Sequence, residues 1–202
     1  MLLSAIASGL VVGISLSLFI GQPENTATTR NGFFNVDGVD ATTIQLTHHN
    51  GNKLDWSHFS GTNRLVYFGY TYCPDVCPTE LAQMTATGEL LDKQGFDVTQ
   101  LFVTIDPTRD SSDILREYTA LFDEALIGLN AEAESLKKLT SAFKVQYRRA
   151  SDTGEISDYL MDHTSRIFFV ATDGEVLGIF DSSHSINDVV QKIVETSLLD
   201  NR

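Results

Sequence analysis

The chain has 202 residues, 42% of them apolar and 20% charged, with 27 acidic against 14 basic side chains and a formal charge of −13. That length suits one ordinary domain with an appendage, large enough to bury a core without disulfide staples. The acidic balance argues against nucleic acid as a partner, because phosphate binding draws on clustered Lys and Arg; two cysteines are too few for a disulfide-built fold and suit one redox pair or one metal site.

In chain order, Leu2 to Ile20 is an uncharged apolar run, long enough as a helix to cross a hydrocarbon core of about 20 residues. We read residues 1–21 as a transmembrane anchor, with a cleaved signal as the rival, although no basic residue or clear Ala-x-Ala site accompanies the run. Residues 22–35 are polar and read as a linker, leaving 36–202 as the folded domain on the extracytoplasmic, periplasmic side. Ile44-Gln45-Leu46 followed by Asn50-Gly51 signals a hairpin. Leu65 to Tyr70 and Leu101 to Ile105 are unbroken apolar runs, as in strands covered on both faces. A helix is expected after Pro78, with Gly88 its weak spot, and further helices over 111–122, capped by Ser111 or Ser112, and over 132–143. Val145 to Arg149 and Ile167 to Val170 read as strands. Asp173-Gly174 turns into a strand ending at Phe180, and Ser185 or Asn187 caps a last helix to about Leu198. Alternating strands and helices predict an α/β fold with a largely parallel central sheet flanked by helices, and a strand feeding a cysteine loop at a helix start is the thioredoxin-like arrangement.

Cys73-Pro74-Asp75-Val76-Cys77-Pro78 stands at that strand-to-helix turn. Residues four apart in helical geometry share a face, so both sulfurs can meet one ligand. A helix N-terminus favours thiolate, the form that binds metal and attacks disulfides. Pro74 stiffens the loop, and Pro78 suits a first helical position. Two soft sulfurs select Cu(I), or less selectively zinc. A static disulfide is the alternative, but closing so short a loop gains little.

Two thiolates leave a metal shell incomplete. His163, in Tyr159-Leu160-Met161-Asp162-His163-Thr164 just before strand 167–170, is the best third donor, because in a thioredoxin-like fold the loop entering that strand lies beside the cysteine loop. Asp162 could support it as a hydrogen-bond acceptor. His48, His49, His58 and His184 read as surface or cap residues, and Met84 as core packing.

The stretch Val66 to Glu80, then Thr104-Ile105-Asp106-Pro107-Thr108-Arg109-Asp110, then Asp162-His163-Thr164 with the Asp173-Gly174 turn, closely resembles the Sco/SenC family of copper proteins used in cytochrome c oxidase assembly. The likeness runs from about residue 33 to the C-terminus. It departs from the pattern at Tyr72, where the family often has His, and at Thr164, where Ser is common. The resemblance implies a thioredoxin-like domain on one N-terminal membrane helix, binding copper as Cu(I), with Cu(II) a further state, through Cys73, Cys77 and His163. It also implies two partners, a copper donor protein and the dinuclear copper site of oxidase subunit II. Asp106-Pro107 and Arg109-Asp110 match the family but read as loop structure. The expected function is therefore a metallochaperone rather than an enzyme. A thiol-disulfide oxidoreductase working through a Cys73–Cys77 redox-active disulfide, and a redox or copper sensor, are the alternatives.

Overall fold

A run of apolar residues without alternation must be covered on both sides, and every residue of strand β4 (Arg64–Gly69) is buried. The computed structural model describes residues 32–38, 41–150 and 159–200. Around β4 stand β1 (Phe34–Asn35), β2 (Gln45–His48), β3 (Lys53–Asp55), β5 (Thr99–Thr104), β6 (Ile127–Asn130), β9 (Ile167–Val170) and β10 (Glu175–Phe180). They form one eight-stranded sheet in the order β1-β10-β9-β4-β5-β6-β2-β3. Four helices accompany it among the described residues: α1 (Val76–Asp92), α2 (Ser112–Thr119), α3 (Ala133–Ala142) and α4 (Ile186–Asp200). A separate two-stranded ribbon pairs β7 (Tyr147–Arg149) with β8 (Met161–His163).

The expected α/β fold with a helix-flanked central sheet is present, but the sheet is mixed rather than largely parallel. Only β4–β5 and β5–β6, joined by α1 and α2, pair in parallel among the described residues. The other pairings are antiparallel; two of them, β2–β3 and β9–β10, are hairpins, whose tight turns cannot join parallel neighbours. Gly51 at φ 90° and Gly174 at φ 84° make those turns, where a Cβ would be strained. The sequence reading did not find β1, β6 or β8, each too short for its alternation to register. β1 takes in the last residues of the stretch read as linker. The expected anchor over 1–21 lies outside the described residues, and among those described no helix is long and apolar enough to cross a membrane.

Alternation along β4 sends successive side chains to opposite faces. Tyr67 stacks on Phe102, which in turn meets Tyr118 of α2. On the other face Phe68 packs with Phe143 and Phe168, and Phe143 meets Trp56 edge-on. Helix α1 begins at Val76 rather than after Pro78, which puts Cys77 in the first turn and Pro78 third. Pro78 costs no hydrogen bond there, because the first four N–H groups of a helix have no intrahelical partner. Gly88 lies inside α1 without breaking it, and a Cβ on it would come 2.5 Å from Gln100 Nε2, so the glutamine side chain would have to shift.

At the start of β4 the fully buried Arg64 grips Asp37 with two parallel bonds of 3.0 Å and donates to the Ala171 carbonyl at 3.1 Å. Trp56 Nε1 binds the same carboxylate at 3.0 Å, joining the segment after β1 to the core. Removing the carboxylate strands a buried charge, so Asp37→Ala is expected to cost about 3–5 kcal/mol in urea unfolding. A second expectation concerns His49, whose Nδ1 accepts the Gly128 N–H at 3.1 Å. Burial, then the nearby charges of His48 and Arg116, lower its pKa below 6.5. The unfolded chain therefore takes up the proton first as pH falls. The stability this ring contributes is complete above about pH 6.5 and declines below it. His49→Asn, which keeps an acceptor but cannot titrate, should flatten part of the acid slope of the urea midpoint.

Candidate metal centre

Strand β4 delivers the chain to the cysteine loop, and α1 carries Cys77 back over the strand's end. The approach is close: a Cβ on Gly69 would lie 2.9 Å from Cys77 Sγ, 2.8 Å from Tyr67 Cε1 and 3.0 Å from Phe102 Cε2. Glycine at this position is therefore what lets the sulfur seat against the sheet. The loop is held at its start by Asp110, fully buried, which accepts the Thr71 N–H at 3.0 Å, the Thr71 hydroxyl at 2.6 Å and the Thr104 hydroxyl at 2.5 Å. Burial pushes the Asp110 carboxyl up, and the three hydrogen bonds oppose that shift.

The two sulfurs differ in surroundings. Cys77 is fully buried and Cys73 is half-buried. Both are free thiols. The Cys77 S–H donates to Cys73, which lowers the Cys73 pKa and raises that of Cys77. Burial adds to the rise at Cys77. Backbone N–H groups at the helix start also favour a Cys73 thiolate, that of Cys77 lying 3.4 Å from its sulfur. Of the two, Cys73 is favoured as the thiolate and Cys77 as the thiol.

His163 comes to this pair from the β7–β8 ribbon, with its Nε2 3.5 Å from Cys77 Sγ. Its other nitrogen, Nδ1, sits 3.1 Å from the Thr164 carbonyl, which can only accept. An N–H on Nδ1 satisfies that carbonyl, and Nε2 is the nitrogen turned to the sulfurs. Cys73 is also within hydrogen-bonding reach of this ring. Fold and sequence together bring all three candidate donors into contact. Among the described residues no group of three or more His, Cys, Asp or Glu side chains is arranged so that it could hold a metal ion as it stands.

The remaining expectations divide. Asp162 does not support His163: its carboxylate pairs with Arg148 at 2.6 Å, on the outward side of β8 where alternation places it. His48 and His184 make local turn contacts, and His49, read from sequence as a surface or cap residue, instead binds Gly128 of β6 and Thr119 of α2; none of these contacts involves the sulfurs. A cleft of ≈ 650 Å³ lined by Asn63, Gly88, Asp97, Gln100 and Asp123 lies at the other end of β4 and β5 and holds no Cys or His. Sequence reasoning missed Tyr67, Tyr70, Tyr159 and the role of Arg109. Tyr67 meets Ser165 Oγ at 3.0 Å and faces Cys77, and Tyr70 is the acceptor for the Met161 N–H at 3.2 Å. Arg109 pairs with Asp106, donates to the Tyr159 carbonyl at 2.9 Å and lies 3.7 Å from that ring's centre. In an apolar strand a tyrosine reads as packing. The only available signal was two phenols three residues apart beside a cysteine.

These electrostatics predict selective chemistry. Iodoacetamide near pH 6 should label one sulfur, Cys73, and leave Cys77 untouched. Cys77→Ala removes the proton donor and should move the onset of labelling toward the ordinary thiol range of about 8.5.

Known proteins resemble this chain in sequence and in fold. The SCO1/SenC family model matches residues 41–197. A SCO2-like protein of Rickettsia felis is 31% identical over 189 residues, covering 92% of each chain. Among solved structures, Arabidopsis thaliana ScoI with copper bound superposes with a TM-score of 0.71 at 27% identity, covering 77% of this chain and 96% of that one. Yeast Sco1 with copper bound gives 0.70 at 29% identity, covering 75% and 84%. With a family match over most of its length and a relative spanning nearly all of it, this chain belongs to the SCO1/SenC family.

Proposed function

We propose that the chain is a copper metallochaperone for cytochrome c oxidase assembly, carrying Cu(I) as cargo on Cys73, Cys77 and His163. One observation carries this reading: the His163 Nε2 stands 3.5 Å from Cys77 Sγ while its Nδ1 is engaged by the Thr164 carbonyl. With metal–sulfur and metal–nitrogen bonds of about 2.3 and 2.0 Å, as for zinc, donors roughly 110–120° apart stand about 3.5–3.7 Å from each other. The sulfur–nitrogen spacing already matches a shared ion. Loading then needs the proton between the sulfurs to leave and the pair to open slightly. Two thiolates and one imidazole are a soft set suited to Cu(I), and the copper in two solved relatives supports that choice. Cys73, half-buried, gives an incoming ligand one accessible side for stepwise exchange. In the same reading residues 1–21 anchor the chain, 22–35 tether it, and 36–202 form the copper domain on the periplasmic side. The recipient is the dinuclear copper site of oxidase subunit II, and a copper donor protein loads the carrier.

A second reading rests on the unequal thiols. Cys73 thiolate attacks one sulfur of a target disulfide and releases the other as thiolate. Cys77, having lost its proton, then attacks Cys73, freeing the second target thiol and leaving a Cys73–Cys77 disulfide; two electrons pass to the target. His163→Ala separates the two. For the carrier, copper binding to the reduced protein should weaken at least about tenfold while disulfide exchange survives. Equal copper affinity in that variant would overturn the carrier site.

A further inference from the structure

We propose that Tyr70 is a positioning residue that latches the histidine strand to the cysteine loop; this rests on the reading of His163 as a copper ligand. The problem it solves is topological. Cys73 lies on the loop between β4 and α1 and Cys77 in the first turn of α1, whereas His163 rides on the β7–β8 ribbon, which shares no ladder with the main sheet. Pairing of β9 with β4, Ile167 opposite Tyr67, brings the chain to within four residues of His163. The last step, from that strand to the imidazole, is left to contacts outside the ladders.

Tyr70 stands between the two parts. It follows β4 directly, is 2% exposed, and its hydroxyl oxygen accepts the backbone N–H of Met161 at 3.2 Å, two residues before His163. Its ring centre lies 6.0 Å from that of His163, nearly edge-on, and its hydroxyl faces Cys73. One phenol thus touches the histidine strand, the histidine ring and the cysteine loop. It is itself braced. The Arg109 guanidinium lies 5.7 Å from the Tyr70 ring centre and 3.7 Å from that of Tyr159, and it donates to the Tyr159 carbonyl at 2.9 Å. The Tyr159 hydroxyl donates to Asp106 Oδ1 at 2.6 Å, and Asp106 pairs with Arg109. The strand is therefore pinned at Tyr159 and Met161 to residues that follow β5 and β4. The Asp106 and Arg109 pattern, which reads from sequence as loop structure, is the base of this latch.

A preset imidazole loses less freedom on binding an ion, so the latch should act on copper retention through His163. Tyr70→Phe deletes one oxygen and keeps the ring. In the metal-free full chain, hydrogen exchange at the Met161 amide should accelerate at least tenfold. In competition with a chromophoric Cu(I) chelator, the dissociation constant should rise about tenfold. In a His163→Ala background the same substitution should change copper affinity by less than twofold, because there is no imidazole left to position. Arg109→Lys, which keeps the charge but loses the planar stack, should also accelerate Met161 exchange, and it tests the latch if Tyr70→Phe fails to fold. Unchanged Met161 exchange in both variants overturns the latch. So does a Tyr70→Phe effect on copper of equal size with and without His163, which would show the phenol acting on Cys73 alone. If His163→Ala leaves copper affinity intact while Met161 exchange responds as stated, the strand latch stands and the carrier reading falls.

Discussion

The site depends on how closely one sulfur can approach the end of a buried strand. Cys77 Sγ occupies the space a side chain on Gly69 would need, so helix α1 reaches the strand end only because that residue has no Cβ. Moving the helix outward by the width of a methyl group would carry the sulfur away from the imidazole that meets it at 3.5 Å. The unbroken burial of β4 serves the same end. A strand packed on both faces cannot shift to accommodate strain, and that rigidity passes to the loop it feeds.

Burial also separates the chemistry of two residues that are identical in composition. Cys77 is sealed against the sheet, which favours its thiol form; Cys73, nearer solvent, accepts a hydrogen bond from it and from the helix start, which favour its thiolate. A thiolate at the surface with a proton reservoir behind it suits metal capture, because the ion enters at the charged sulfur and displaces a proton already shared. It also suits disulfide exchange. The two proposed activities are thus alternatives for one electrostatic arrangement, and only the imidazole distinguishes them. His163 adds a nitrogen lone pair that a dithiol exchanger has no need of, with its tautomer set by the Thr164 carbonyl.

The imidazole is on a different structural unit from the sulfurs. The main sheet is locked at the far end of β4 by the bidentate Arg64–Asp37 pair, whereas the β7–β8 ribbon is joined to the site by polar and aromatic contacts from Tyr70, Arg109 and Asp106. Such contacts are directional and individually modest. They act at single points, the Met161 amide, the Tyr159 carbonyl and the Tyr159 hydroxyl, rather than along a ladder.

Much of the fold was legible because its signals are local. The apolar runs of β4 and β5, the Asn-Gly and Asp-Gly turns and the Ser111 cap need only neighbouring residues to take effect, and each stands where the sequence indicates. The Cys-x3-Cys spacing at a strand-to-helix turn likewise announced a paired-sulfur site. What local pattern could not carry was anything decided by a distant partner. Two-residue β1 and three-residue β8 exist only because β10 and β7 lie beside them. Asp162 was a plausible support for its neighbour His163, yet strand alternation turned it outward to Arg148. Tyr70 and Arg109 carry no chemical signature in sequence and gain a role only when the chain brings residue 161 to residue 70 and residue 159 to residue 109. By itself the sequence determined which residue types were present to bind a soft ion and where the strands and turns would start. Tertiary structure alone decided that an imidazole 86 positions from Cys77 would meet its sulfur, because that depends on β9 pairing with β4 and on side-chain contacts between residues far apart in the chain.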